Sequence, residues 1–430
     1  MMNMAGYWRS GYGHLLASQF QIWRGFYRPM GGVFYLPLFD LFGLNPSPFH
    51  AFYLGLLLAN VYLVYRFALS LGCAPLVAVL SALMFCYHVG MSILYFGMSN
   101  IYDVLCCLFY LAAFSWYVRV RQGGEIPRGR DLAVIFVLFL CALNSKEMAV
   151  TFPVVLLAYE AIFHDRPRAS ARTAMIAGVL TAVYIYGRAL GPEGLASHSA
   201  YGPLLSMHRV WMYQMGMLNT FLYFWRPFNR VHVVIFWLAL LYLAFRRTRL
   251  ELRFCCVFLL LTPLPVEFLV GRSQATLYLP MAAFAVFLAT IFVDVAGGAA
   301  KFLSAEPLFR QLGAQRCFQA LIAAGVGWWL YANQHIKHVE FEVQMADSGK
   351  VTGEVIQQFR ELHPHVAAGS HIVFLNDPFQ EYDMLFIAEL YFNDHSLEIR
   401  LNRKTPIAPE ALARANVVFD YVDGKLLQVR

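Results

Sequence analysis

The sequence predicts a mainly α-helical protein: a polytopic transmembrane bundle of about ten spans, followed by a small extracytoplasmic α/β domain. Three observations carry that expectation. Of the 430 residues, 59% are hydrophobic and only 14% charged, with a mean hydropathy of +0.54, whereas a water-soluble domain carries about 25% charged residues. Apolar runs recur through the first three quarters of the chain. The charge is also divided, with 24 bases and 12 acids in residues 1–333 but 9 bases and 14 acids in residues 334–430. The physical character changes near residue 334, which divides the chain into an arm (1–48), a membrane bundle (49–333) and a soluble tail (334–430). In a polytopic protein, Arg and Lys in short loops set orientation in the bilayer, so the basic excess implies membrane lipid as partner and no nucleic acid.

The arm contains WRGFYRPMGG, in which Pro29 opens an amphipathic helix over about 29–42. Ten apolar segments follow, near 49–69, 73–92, 99–119, 131–145, 148–164, 171–190, 231–245, 254–271, 276–296 and 317–333. Residues 206–226 are aromatic and amphipathic and are assigned to the membrane surface. Ten spans put both ends on one side. The loops 119–130, 165–172, 246–253 and 297–316 hold 14 bases, and the positive-inside rule makes them cytoplasmic. The arm, the turn at Lys146, the 191–230 segment, the loop at Arg272 and the tail then share the outer face of a cytoplasmic (inner) membrane. One feature conflicts: the arm carries Arg9, Arg24 and Arg28 and no acid before Asp40, so its export violates the charge rule. A further helix preceding Met1 would resolve this, with eleven spans and an inside N-terminus.

In the tail, 353–364 has helical periodicity, 371–377 reads as a strand, 381–394 as an amphipathic helix, 397–401 as a strand and 408–415 as a short helix. Residues 416–429 form a hairpin whose Asp423-Gly424 pair suits a type I′ turn. No phosphate-cradling glycine loop and no internal repeat occurs. The eight cysteines sit in or beside apolar stretches and read as buried small hydrophobes, implying neither a disulfide framework nor a metal site.

Ionisable residues at membrane depth are expensive, so those that the topology gathers at one face are candidate site residues. They are Arg28, Asp103, Lys146, Glu147 and Arg272, with Arg24, His88 and Glu267 as further candidates; for each, an interhelical salt bridge or a snorkelling end is the plain alternative. Lys146-Glu147 occupies a tight turn between two spans, where the ammonium could bind phosphate as a point charge and the carboxylate could hold it or accept from a sugar hydroxyl. Asp103, one turn into its span, calls for a cationic partner such as Lys146 or Arg272. Arg28 beside Tyr27 suits either a lipid phosphate or headgroup anchoring.

In this order, the features resemble the GT-C glycosyltransferases that use polyprenyl-phosphate sugars, and most closely the bacterial relatives of protein O-mannosyltransferases. The segment FYRPMGGVFYLPLFDLFGLNPSPFHAFYLGLLLANVYLVYRFALSLG is similar to the family's first external loop and next helix. His88 and Asp103 are spaced like the first His and the Asp of its HPxHxEA and GRxD stretch; NSKEMAVTFP is similar to its SKE-containing helix start; and GRSQATLYLP, with Arg272, Tyr278 and Pro280, resembles its R-x-LYLP segment. The resemblance spans 26 to about 296. It departs from the family in three ways: residues 1–39 contain no Asp or Glu where the family carries an early acidic catalytic residue, Met91 and Ile93 replace a His and a Glu, and the acidic tail stands where tetratricopeptide repeats would follow.

The resemblance implies an inverting sugar transfer outside the membrane, from a polyprenyl-phosphate donor to a glycan or protein acceptor. The lipid phosphate leaves, and a carboxylate takes the acceptor's proton. Arg28, Lys146 and Arg272 would meet the phosphate, Asp103 and Glu147 would orient them, and Tyr278 is a further candidate. The catalytic base is unassigned, and no ligand spacing supports a divalent metal or another cofactor. A non-catalytic binder of lipid-linked sugars, or a protein of envelope assembly, is the competing class. A secondary transporter would show internal repeats and broken midplane helices, which the sequence lacks.

Overall fold

The computed structural model describes residues 1–23, 27–164, 171–190, 206–223, 227–246, 249–268, 273–307 and 309–430, without the side chains of 189–190 and 343–348. The chain is mainly helical with a small C-terminal sheet. Each of the ten apolar stretches contains helix where it is described. The chain runs through α1 (Met2–Phe20), α2 (Pro29–Phe42), α3 (Pro46–Ser70), α4 (Pro75–Tyr87), α5 (Ser92–Phe96), α6 (Ile101–Gln122), α7 (Arg130–Leu143), α8 (Phe152–Phe163) and α9 (Ala171–Leu190). It continues with α10 (Met207–Leu222), α11 (Arg230–Arg246), α12 (Leu250–Leu261), α13 (Leu264–Glu267), α14 (Tyr278–Ala305) and α15 (Gly313–Lys337).

By length and apolar content, three helical segments among the described residues could cross a membrane alone, at Pro46–Ser70, Met98–Gln122 and Gln274–Ala305; Pro75–Tyr87 with Val89–Phe96, bent by 51°, makes a fourth if taken as one broken span. The other stretches form shorter or more polar helices. The 14 residues of α7 and the 12 each of α8 and α12 rise only about 1.5 Å per residue against a hydrocarbon core of about 30 Å. The bend in the second stretch occurs at His88, whose backbone is extended.

Where composition suggests three segments, contacts divide the chain into two units, one of residues 1–17, 31–52 and 339–430, the other of 18–30 and 53–338. The arm contains an unexpected helix, α1. Three glycines in its first thirteen residues lower helix propensity, so the pattern alone reads as irregular. What fixes it is packing within the first unit: Trp8 stacks on His395 with ring centroids 3.6 Å apart and donates through Nε1 to Asn393 Oδ1 at 2.9 Å. Arg9 pairs with Glu389, and Tyr12 donates to Asp40 at 2.6 Å.

The tail of that unit contains α16 (Val343–Leu362), β1 (His371–Phe374), α17 (Asp383–Phe392), β2 (Glu398–Leu401), α18 (Pro409–Ala413), β3 (Val417–Val422) and β4 (Lys425–Gln428). The sheet order is β2-β1-β3-β4, with β1 parallel to β2 and β3, and β3 antiparallel to β4. Its core packs Val355, Phe359, Ile372, Phe374, Ile387 and Phe419, the apolar faces that the helical and alternating patterns put inward. Asp423 and Gly424 both have positive φ, 50° and 79°, as a type I′ turn demands. Gly424→Ala should therefore cost about 1 kcal/mol in equilibrium unfolding; a loss below a few tenths would mean that the turn relaxes to another type.

Candidate functional site

The second unit brings chemistry together at one end of its helices. The chain runs away along α6, returns along α7, turns through a 3₁₀ segment (Glu147–Thr151) into α8, and returns along α9. The first turn of α6, the 144–151 turn and the last turn of α9 therefore meet. Asp103 sits in that first turn, 5% exposed, and Lys146 Nζ reaches its Oδ1 at 2.5 Å. Arg28 clamps Glu147, with Nη2 at 2.8 and 3.0 Å from the two carboxylate oxygens and Nε at 3.3 Å from Oε1; its guanidinium also lies over the Tyr102 ring at 5.3 Å.

A fifth charge joins them from α9. Arg188, 4% exposed, donates to the Tyr27 carbonyl, lies 5.1 Å from the Tyr184 ring and acts on Glu147 electrostatically, as Lys146 does. Arg28 in turn feels Asp103. Among the described residues, Arg28, Lys146 and Arg188 thus lie with Asp103 and Glu147 in one largely buried cluster of alternating charges. Arg188 was not among the sequence candidates, since a lone arginine near a helix end reads as a snorkelling terminus.

Residues 18–23 and 27–30, on either side of the undescribed 24–26, also reach this cluster. The Asn144 amide donates to the Gln19 carbonyl at 2.9 Å, and Met30 N donates back to Asn144 O at 3.4 Å. At α9 the Trp23 backbone lies on Gly187 so closely that a Cβ there would stand 2.2 Å from its Cα and carbonyl carbon. Arg28 follows Trp23 by five residues.

Burial alone would raise the Glu147 carboxyl, but the Arg28 and Arg188 charges outweigh it and hold the group at about 2, against an ordinary 4.5. A carboxyl lowered on folding stabilises the native state above its unfolded value and loses that contribution as pH falls through the folded one. The stability gap between the wild type and Glu147→Gln should therefore be constant from pH 7 to about 5 and shrink between about 4.5 and 2. Parallel unfolding curves at each pH measure it, and a gap that already closes at pH 6 would contradict the pairing.

The remaining candidates separate. His88 is 2% exposed with both ring nitrogens engaged: Nε2 donates to Phe221 O at 2.8 Å, and Nδ1 accepts from Gly90 N at 3.1 Å. It caps a helix break and has no nitrogen left for a ligand. Tyr278 is buried against Phe85, ring centroids 4.6 Å apart, away from the charges. Arg272 and Arg24 lie outside the described residues. Glu267, 3% exposed, ends α13, which packs against the Glu147–Thr151 turn, and lines a cavity of about 370 Å³ with Arg209, Tyr213, Asn219, Ser273 and Thr276.

A second buried ion network occupies the far end of α6. Arg121, which the sequence places in a cytoplasmic loop, is 8% exposed and clamps Glu160 at 2.8 and 3.0 Å, with the Tyr117 hydroxyl donating to the same carboxylate at 2.7 Å. Spacing could not reveal this pair, 39 residues apart. Among the described residues no three His, Cys, Asp or Glu side chains converge as a metal ion would require. No known protein family and no curated protein matches this chain.

Proposed function

We propose that this chain is an integral membrane glycosyltransferase that takes a sugar from a polyprenyl-phosphate donor to a glycan or protein acceptor on the extracytoplasmic side. The observation that carries the reading is the largely buried cluster that brings Arg28, Lys146 and Arg188 together with Asp103 and Glu147. Arg28 presents a planar fork suited to phosphate, Lys146 a compact charge, and the two carboxylates hold both in place. Neutralising a departing lipid phosphate is the electrostatic work such a transfer needs. The GT-C-like motifs at His88–Asp103, Lys146–Glu147 and 271–280 support the same class. Ten spans, with the short helices shielded by their neighbours and the tail outside, complete the proposal.

A topogenic reporter fused after Arg430 should be active only in the exported state; cytoplasmic activity would place Lys146 inside and remove the outward site. The direct test is saturable binding of a fluorescent polyprenyl phosphate to the full chain in lipid nanodiscs. Arg28→Lys keeps the charge but loses the fork and should weaken binding about ten-fold. If no saturable binding is seen, the reading fails.

A further inference from the structure

Among the described candidates, Glu267 both lines a cavity and stands apart from the ion pairs. Its Oε1 accepts from Gln214 Nε2 at 2.5 Å. The orientation of that amide is set from behind, because its own oxygen accepts from Trp237 Nε1 at 3.0 Å. Among the described residues Oε2 has no donor. The cavity around it is lined by apolar side chains such as Met212, Met217 and Leu277 and by polar residues, among them Arg209, Tyr213 and Ser273. At about 370 Å³ it falls within the ~300–1,000 Å³ range of small-ligand sites. It adjoins the charged cluster, since α13 packs on the Glu147–Thr151 turn and Tyr213 is within electrostatic reach of both Glu267 and Asp103.

We propose that this cavity seats the hydroxyl group of the acceptor and that Glu267 is the base that takes its proton. The inference rests on the sugar-transfer reading and names the carboxylate that takes the acceptor's proton in it. In the step, the acceptor oxygen forms a bond to the anomeric carbon as its proton passes to Glu267 Oε2. The bond from that carbon to the lipid-phosphate oxygen breaks, and its electron pair leaves on the phosphate, toward Arg28 and Lys146. The protonated Glu267 then returns its proton to water. Gln214 acts as a positioning residue through its hydrogen bond to Oε1.

The test uses the full chain in lipid nanodiscs with a polyprenyl-phosphate hexose, measuring donor binding and transfer to a panel of hydroxyl acceptors for the wild type, Glu267→Gln and Glu267→Asp. Glu267→Gln should keep donor affinity within about two-fold and lose about 10²- to 10⁴-fold in kcat, while Glu267→Asp, which keeps a carboxylate, should recover part of that loss. Transfer by Glu267→Gln within ten-fold of the wild type, or loss of donor binding in it, would overturn the assignment and leave the lipid-phosphate site standing. A wild type that binds donor and transfers to no acceptor would also overturn it. A wild type that does not bind donor would remove the sugar-transfer reading and this inference together.

Discussion

Replacing Lys146 by Met should destabilise the native protein by about 3–5 kcal/mol, because it leaves the Asp103 carboxylate buried without its cation. The Asp103 side chain is 4% exposed and that of Lys146 13%, so water can do little to replace the lost charge. The magnitude follows from the asymmetry of buried pairs: removing one partner strands the other, whereas removing both charges is nearly neutral. The double variant Lys146→Met/Asp103→Asn should therefore recover most of the loss. Denaturant titration of the detergent-solubilised chain measures both. A single variant that loses less than about 1 kcal/mol, or a double variant no better than the single, would show that water reaches the pair.

Gly187→Ala should displace the Trp23 backbone, and with it Arg28 five residues further on. The added methyl would meet the Trp23 backbone at 2.2 Å, and main-chain atoms cannot turn aside as a side chain can. Overpacking of this kind costs about 1–3 kcal/mol, and the displacement should also break the Arg28–Glu147 clamp and the Arg188 contact to Tyr27. Polyprenyl-phosphate affinity should then fall by about ten-fold. Adding Arg28→Ala to Gly187→Ala should cost little more, because coupled sites are not additive. If the two losses in affinity simply add, the contact of Trp23 with Gly187 is not what positions Arg28.

These predictions concern residues whose candidacy was legible at different depths. Asp103, Lys146 and Glu147 could be singled out because a charge inside an apolar run is conspicuous, and Asp103 was expected to find a cation. Which cation it finds, and that Glu147 takes Arg28 from 119 residues away, is a matter of distances that no local pattern encodes. His88 was equally conspicuous, yet its ring is consumed by Phe221 and Gly90. Arg188 and the Arg121–Glu160 pair were hidden because a base near a helix end looks the same whether it meets water or a buried carboxylate.

By itself, the sequence determined what depends on neighbours within a few residues: the apolar helices, the strands and helices of the tail, the Asp423-Gly424 turn, and the change of solvent preference near residue 334. Period, propensity and turn chemistry act over one or two turns of chain, so they can be read in one dimension. Only the tertiary structure decided that α1 is held by Trp8 against His395 and Asn393, that the Trp23 backbone lies on Gly187, and that five charges from four separate segments form a single cluster. Those outcomes depend on desolvation and charge pairing, whose energies are set by which surfaces meet in space, and the chain must be folded before the partners are chosen.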